Sequence, residues 1–215
     1  MSSSAGVRTV LWDVDTQVDF VLPDGKLAVP GAVDAAPAMA RLVEWGRANG
    51  VTHVASADDH ELTDPEISDE PDFQSTYPPH CLRGTRGAQK IPETEQQDPL
   101  PFGHVAYPPG LIRPLVAQRR EILLLKKSFD VFTSPNAEAV LEYLDPTEVV
   151  VFGVATDVCN HAAIIGLVRR GRRVAFVEDA ARGLDDARTA ACLAEWRDAG
   201  VRFTTSEQVV ARDGR

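Results

Sequence analysis

Residues 148–170 read EVVVFGVATDVCNHAAIIGLVRR. Glu148–Gly153 is a run of apolar, mostly β-branched residues and predicts a strand. Cys159–Arg170 is almost wholly apolar until its arginines and predicts a buried helix. A strand that is apolar at consecutive positions has both faces covered, which is the mark of a parallel sheet packed between helices. Gly171 and the surrounding Arg169, Arg170, Arg172 and Arg173 read as a helix C-terminus, with cations at its negative end and glycine as the stop, in preference to a phosphate site. The next strand is Val174–Val177.

The same alternation extends outward in both directions. Strands are expected at Val7–Val14, Val51–Ala57, Glu121–Lys126 and Val201–Thr204, and helices at Ala35–Asn49, Asn136–Leu144 and Asp186–Ala199. Pro37 is tolerable in a first helical turn. With right-handed crossovers this predicts an α/β fold: a doubly wound, mostly parallel six-stranded sheet with helices on both faces. Ligands of such sheets bind beyond the carboxyl ends of the strands. Residues 1–215 are expected to form a single domain. Its rhythm is broken by one long loop excursion, about 58–120, rich in Pro, Asp, Glu and Gly, and a loop of that length is expected to be functional.

The net charge of −10 disfavours nucleic acid and anionic membrane surfaces as partners. No stretch approaches the roughly 18 apolar residues of a membrane helix. The first residues, MSSSAGVRTV, lack a basic segment followed by an apolar run, so no signal peptide is expected. The three cysteines, Cys81, Cys159 and Cys192, are odd in number and do not resemble a disulfide framework. Reduced thiols and a cytoplasmic location follow as expectations.

Cys159 stands at a strand-to-helix turn. The positive end of the helix dipole is expected to lower its thiol pKa, and the amides of the turn could hold an oxyanion. The alternative is a buried structural cysteine. Asp15 and Lys126 each close an apolar strand, where a buried charge needs a partner. Alone, Asp15 reads as a turn residue and Lys126 as a lysine reaching for solvent; three such groups at strand ends together suit proton transfer beside a nucleophile. Asp58 and His60, at i and i+2 in extended chain, point the same way, and His80 follows a stiff Pro-Pro segment. Two imidazoles and a carboxylate suit Zn, Fe or Mn, although solvated loop histidines would give the same pattern. His53 reads as a core or edge side chain, His104 as a loop residue, and His161 as a packing residue because i and i+2 face apart on a helix. Cys192 reads as core, and Cys81 has no evident task.

Taken together, these residues resemble the isochorismatase-like cysteine hydrolase superfamily, and within it the nicotinamidase branch, over roughly residues 7–205. Asp15-Thr16-Gln17-Val18-Asp19-Phe20 resembles its D-x-Q-x-D-F signature. The stretch from Lys126 to Phe132 resembles its lysine signature, and Gly153–Cys159 its nucleophile turn. The resemblance implies Asp15, Lys126 and Cys159 as catalytic residues and a cis peptide bond before Ala155. It also implies an oxyanion hole from the Ala155 and Cys159 amides. Ala57–His60 and Tyr77–Thr85 resemble the nicotinamidase metal segments, which implies Asp58, His60 and His80 as ligands of a divalent ion. Phe20 and Tyr77 would flank the substrate ring. Several features depart from the pattern, among them the highly acidic Asp64–Gln74 stretch and the Asn160-His161 pair after the nucleophile. Tyr77 stands where tryptophan is usual, and where some relatives carry a further histidine, either Glu66 takes its place or nothing does.

The implied activity is hydrolysis of a small-molecule amide through a thioester, with nicotinamide giving nicotinate and ammonia. A carbamoyl, ureido or maleamate compound is the alternative substrate, and a metal-free isochorismatase-like hydrolase is a further reading. A silent binding module has no need of a buried Asp–Lys–Cys set. Homo-oligomeric assembly is compatible with all of these.

Overall fold

A computed structural model describes residues 8–214. The reading of the first seven residues as free of a signal, and the predicted strand start at Val7, lie outside the described residues. Seven strands form one sheet: β1 (Thr9–Val14), β2 (Thr52–Asp58), β3 (Leu100–Phe102), β4 (Glu121–Lys126), β5 (Glu148–Val154), β6 (Arg173–Arg182) and β7 (Arg202–Thr204). Their order is β3-β4-β2-β1-β5-β6-β7, and every neighbouring pair is parallel. The helices are α1 (Val18–Val21), α2 (Ala32–Ala48), α3 (Pro109–Val116), α4 (Ala137–Leu144), α5 (Cys159–Arg169), α6 (Asp186–Asp198) and α7 (Ser206–Val210).

The sheet has seven strands where six are predicted. The additional one, β3, is three residues long with Pro101 at its centre. It pairs only with β4 at the sheet edge, where a missing N–H is tolerated. β6 also runs past the predicted Val174–Val177 to Arg182, with a shift in register against β5 between Val151 and Gly153.

Side chains alternate between two cores, as period-two strands require. Val10, Trp12 and Val14 of β1 and Val149 and Val151 of β5 join one core, with residues of α3, α4, α5 and α6. Leu11, Val150, Phe152 and Val154 join the other, with α2 and α7. Full burial of each large side chain is worth about 1.5–3 kcal/mol, so this layering holds the helices in place more than their intrinsic propensity does. α2 approaches β1 closely at Gly46, where a Cβ would lie 2.5 Å from Leu11 Cδ1. No helix among the described residues is long and apolar enough to cross a membrane.

The strand order sets the position of the site. From β1 the chain adds β2, then the edge strand β3 and β4 between them on one side, and returns to place β5 on the other. The crevice at the carboxyl ends of β1 and β5 is therefore the switch point of the sheet.

Candidate active site

Four strands deliver their ends to this crevice. Val14 pairs with Ser56 of β2 and with Gly153 of β5, and Asp58 pairs with Lys126 of β4. Asp15, Asp58, Lys126 and the turn after β5 therefore share one edge. Lys126 Nζ lies 2.8 Å from Asp15 Oδ2 and 3.8 Å from Cys159 Sγ, and it donates to Asp58 Oδ1. Asp15 Oδ1 accepts from Ser56 Oγ at 2.6 Å. The Lys126 side chain is 0% exposed, so its charge is neutralised by protein groups rather than by water.

The surroundings set the protonation states. Burial opposes the charge of Lys126, but Asp15, Asp58 and Cys159 hold its pKa well above the ordinary lysine value. Burial also raises the Asp15 carboxyl, against the pull of Lys126. The expected lowering of the Cys159 thiol is corrected. Burial pushes it well above its ordinary value; Lys126 pulls the other way, and Asp15, Asp58 and Glu66 add to the rise. A thiol raised in this way would need a neighbouring base to become a nucleophile.

Cys159 opens α5, so its amide is among those a helix leaves without an internal acceptor. The Val154–Ala155 peptide bond is cis. Ala155, Val158 and Cys159 line a cavity of about 20 Å³ together with Phe20, Tyr77, Asp58, Glu66 and His80. The rings of Phe20 and Tyr77 lie 5.2 and 6.2 Å from that of His80. Burial raises the Tyr77 phenol to about 12, which keeps it a neutral hydrogen-bonding group. A much larger cavity, about 830 Å³, opens at the amino edge of the sheet, lined by Arg8, Arg120, Tyr143 and Arg173 among others. It contains none of these reactive groups, and chemistry rather than size decides between the two.

Asp58, His60, Glu66 and His80 converge beside Cys159, each with one ligand atom within 4.8 Å of the others, all four buried. Asp58 Oδ2 is 3.7 Å from His60 Nε2 and 3.6 Å from His80 Nε2. The second nitrogen of each ring is engaged elsewhere: His80 Nδ1 with the Pro78 carbonyl at 2.7 Å, His60 Nδ1 with Asp64 at 3.3 Å. That arrangement turns both Nε2 atoms inward, as metal-ligating histidines require. Asp58 Oδ2 and His60 Nε2 are buried without a hydrogen-bond partner. Burial disfavours a charged His60, yet Asp58 and Glu66 raise its pKa. Orphaned buried donor atoms in a two-imidazole, two-carboxylate set fit a divalent ion. Glu66 fills the position that the sequence leaves open. Its other oxygen accepts from the Phe129 amide at 2.8 Å, which fixes the side chain.

An isochorismatase domain family model matches residues 9–208. The chain belongs to the isochorismatase family. Among its relatives is the nicotinamidase/pyrazinamidase of Mycobacterium tuberculosis, 29% identical over 204 residues that cover 90% of this chain and 96% of that protein. The structure of pyrazinamidase of Pyrococcus horikoshii in complex with zinc superposes with a TM-score of 0.72 at 21% identity, covering 92% and 99% of the two chains. N-carbamoylsarcosine amidase from Thermoplasma acidophilum gives 0.70 at 22%, covering 93% and 96%.

In this isochorismatase-family chain, several further side chains brace the site. Gln17 donates to the Asp58 and Ala88 carbonyls at 2.8 and 2.9 Å and accepts from the Asp58 amide at 2.7 Å. Asp19 accepts from the Cys81 and Lys26 amides at 2.7 and 3.1 Å. Both lie in the quoted Asp15–Phe20 signature, where their polar type on a buried turn was the available signal. Ser56 had none, since a serine in a strand is ordinary. His53 is buried and lies 3.3 Å from Asp13. His104 reaches Asp59 at 2.8 Å, and His161 accepts from Trp196 Nε1 at 3.1 Å. Cys81 is buried, but Cys192 is only half-buried, which corrects its reading as core; α6 buries only Trp196 fully. Arg170 lies over the Phe132 ring at 3.8 Å, and Arg172 pairs with Asp145 at 2.6 Å.

Proposed function

We propose that this chain hydrolyses a small-molecule amide through a thioester on Cys159, with nicotinamide as the leading substrate. The observation that carries the reading is Lys126 Nζ, which lies 2.8 Å from Asp15 and 3.8 Å from Cys159 in the switch-point crevice. A purely structural cluster does not need a thiol and a raised carboxyl together in a dry site.

The substrate carbonyl oxygen points at the Ala155 and Cys159 amides. Asp15 takes the Cys159 proton as sulfur attacks the carbonyl carbon, and the amides stabilise the oxyanion. Lys126 stays charged and offsets the negative charge that moves between sulfur and Asp15. The C–N bond breaks as Asp15 returns the proton to the leaving nitrogen. Asp15 then takes a proton from water, which attacks the thioester and releases the acid and the thiol. Phe20 and Tyr77 frame the ring. Asp58, His60, Glu66 and His80 would hold a Zn, Fe or Mn ion, whose Lewis acidity would polarise and orient substrate or water when bound. The name of the Mycobacterium tuberculosis relative supports the choice of nicotinamide, and the zinc in the Pyrococcus horikoshii protein supports the ion. The free thiols among the described residues accord with a cytoplasmic location.

The test is ammonia release from nicotinamide, an aliphatic amide and an N-carbamoyl compound, with and without chelator, alongside elemental analysis. Turnover of nicotinamide that Cys159→Ala abolishes and chelation lowers is the expected result. Preference for the aliphatic amide with no bound metal would leave a hydrolase but end the nicotinamidase reading.

A further inference from the structure

Two residues before Asp15, a second cluster of charges lies buried where the hydrolytic steps do not reach. Asp13 is 0% exposed, with Oδ2 2.9 Å from Lys90 Nζ and 3.3 Å from His53 Nε2. Its other oxygen accepts from Thr16 Oγ1 at 2.8 Å, and Thr16 Oγ1 is 2.6 Å from Thr94 Oγ1. Lys90 Nζ also donates to the Ser56 carbonyl at 3.5 Å.

Stability gives little reason for this cluster. Asp13 shares its strand face with Leu11, which packs in an apolar core, and a buried ion pair rarely outperforms apolar groups of similar size. The geometry offers a different reason. Asp15 has φ +49°, a left-handed conformation that a residue with a Cβ holds only under external constraint. Besides Lys126 at 2.8 Å and the Gln17 amide from which its carbonyl accepts at 2.7 Å, Asp15 has two such anchors. One is Thr16, its chain neighbour, whose hydroxyl is held by Asp13 and whose carbonyl accepts from the Ile91 amide at 3.0 Å. The other is Ser56, whose hydroxyl binds the Asp15 carboxylate at 2.6 Å and whose carbonyl accepts from the Asp15 amide at 3.3 Å. Asp13 and Lys90 together grip both anchors.

We propose that Asp13 and Lys90 are positioning residues, which fix the Asp15 carboxylate relative to Cys159 Sγ by acting through Thr16 and Ser56. The inference rests on the reading of Asp15 as the proton acceptor. It assigns a task to the returning limb of the 58–120 excursion, from which Lys90 comes: that limb completes the turn bearing the base.

Four variants test it: Thr16→Val, Lys90→Met, Lys90→Arg and the double Asp13→Leu/Lys90→Met. The readouts are folding by circular dichroism, kcat and KM for nicotinamide, and the rate at which iodoacetamide labels the Cys159 peptide, followed by mass spectrometry. Labelling needs no turnover, so it reports even if nicotinamide is a poor substrate. Thr16→Val, Lys90→Met and the double variant are expected to fold. Their kcat and labelling rate should fall about tenfold or more with KM within about threefold, because a small displacement of a reacting group acts on the transition state. Lys90→Arg should retain most of the rate. A folded Thr16→Val or folded double variant with kcat and labelling within about twofold of wild type would overturn the proposal; if the double variant fails to fold, Thr16→Val decides. Asp15→Asn and Cys159→Ala are measured alongside. Full activity in either sinks the reading of the site itself, whereas an inactive Asp15→Asn beside a normal Thr16→Val removes only the positioning role.

Discussion

Replacing Gly153 by alanine should damage stability and turnover together. Gly153 pairs with Val14 across the β1–β5 ladder at the switch point, with φ +115°. A Cβ there would lie 2.1 Å from the Val14 carbonyl oxygen and 2.8 Å from its amide nitrogen, both backbone atoms with no rotamer to change. The strained backbone costs about 1–3 kcal/mol, the overpacking about 1–3 kcal/mol, and a weakened ladder hydrogen bond about 1 kcal/mol. A loss of about 4 kcal/mol is expected, a large part of the roughly 5–15 kcal/mol of a typical domain. Val14 precedes Asp15, and Ala155 lies two residues beyond Gly153, so the shift reaches the proposed base and the proposed oxyanion amides at once. A displacement near 1 Å should lower kcat about 100-fold. The assay is urea unfolding followed by tryptophan fluorescence, paired with ammonia release. Gly171→Ala is the control: its φ is +70°, but nothing lies within 4 Å of the added Cβ, so only the backbone cost, about 1–2 kcal/mol, applies. If Gly153→Ala is no more destabilising than Gly171→Ala and keeps wild-type kcat, the steric argument is wrong.

Cys159→Ala should abolish turnover with an unchanged circular dichroism spectrum, while Cys81→Ala and Cys192→Ala keep much of the activity; near-normal turnover in Cys159→Ala excludes the nucleophile. Lys126→Ala leaves Asp15 and Asp58 buried without their cation and should cost about 3–5 kcal/mol in urea unfolding, with loss of activity. Glu66→Ala should weaken binding of added zinc at least about tenfold in a competition titration, and unaltered affinity would remove Glu66 from the ligand set. Burial would raise the Asp13 carboxyl, but Lys90 and His53 hold it below its ordinary 3.8. A depressed folded value stabilises the native state above the unfolded one and is lost as pH falls through the folded one. The Asp13→Leu/Lys90→Met variant should therefore lose less stability than wild type as pH falls below about 4, measured by urea unfolding at successive pH values.

The central strands and α5 were legible because β-branched apolar runs such as EVVVFG alternate with helical patterns, which suits strands covered by helices on both faces. Asp15, Lys126 and Cys159 were legible because ionisable or nucleophilic groups close apolar strands, and the strand order then brings those ends together. β3 was not, since Leu100-Pro101-Phe102 forms a strand only because β4 offers it an edge. In the sequence Glu66 is only one of two alternatives at the further-histidine position. Its meaning comes from a backbone that turns after Asp64 and points it at His60 and His80. The thiol shift was misjudged because the sequence displays the helix end but not the carboxylates folded around it. Asp13 and Ser56 gave no sign, since each is defined by a partner across the sheet.

Asp58 belongs to both halves of the site. One oxygen meets Lys126, the other faces the two imidazoles, and Gln17 clamps its backbone from both sides. An evolving lineage cannot discard it piecemeal, because any replacement at this position disturbs the cation partner of the base and the ligand cluster in a single step. His60, Glu66 and His80 make no hydrogen bond or ion pair with Lys126, whose partners are Asp15, Asp58 and Cys159. A descendant that did without an ion at this cluster would therefore lose those three first and keep the aspartate, and the order of loss along such a lineage would be written in which of the four acidic and imidazole positions still stand.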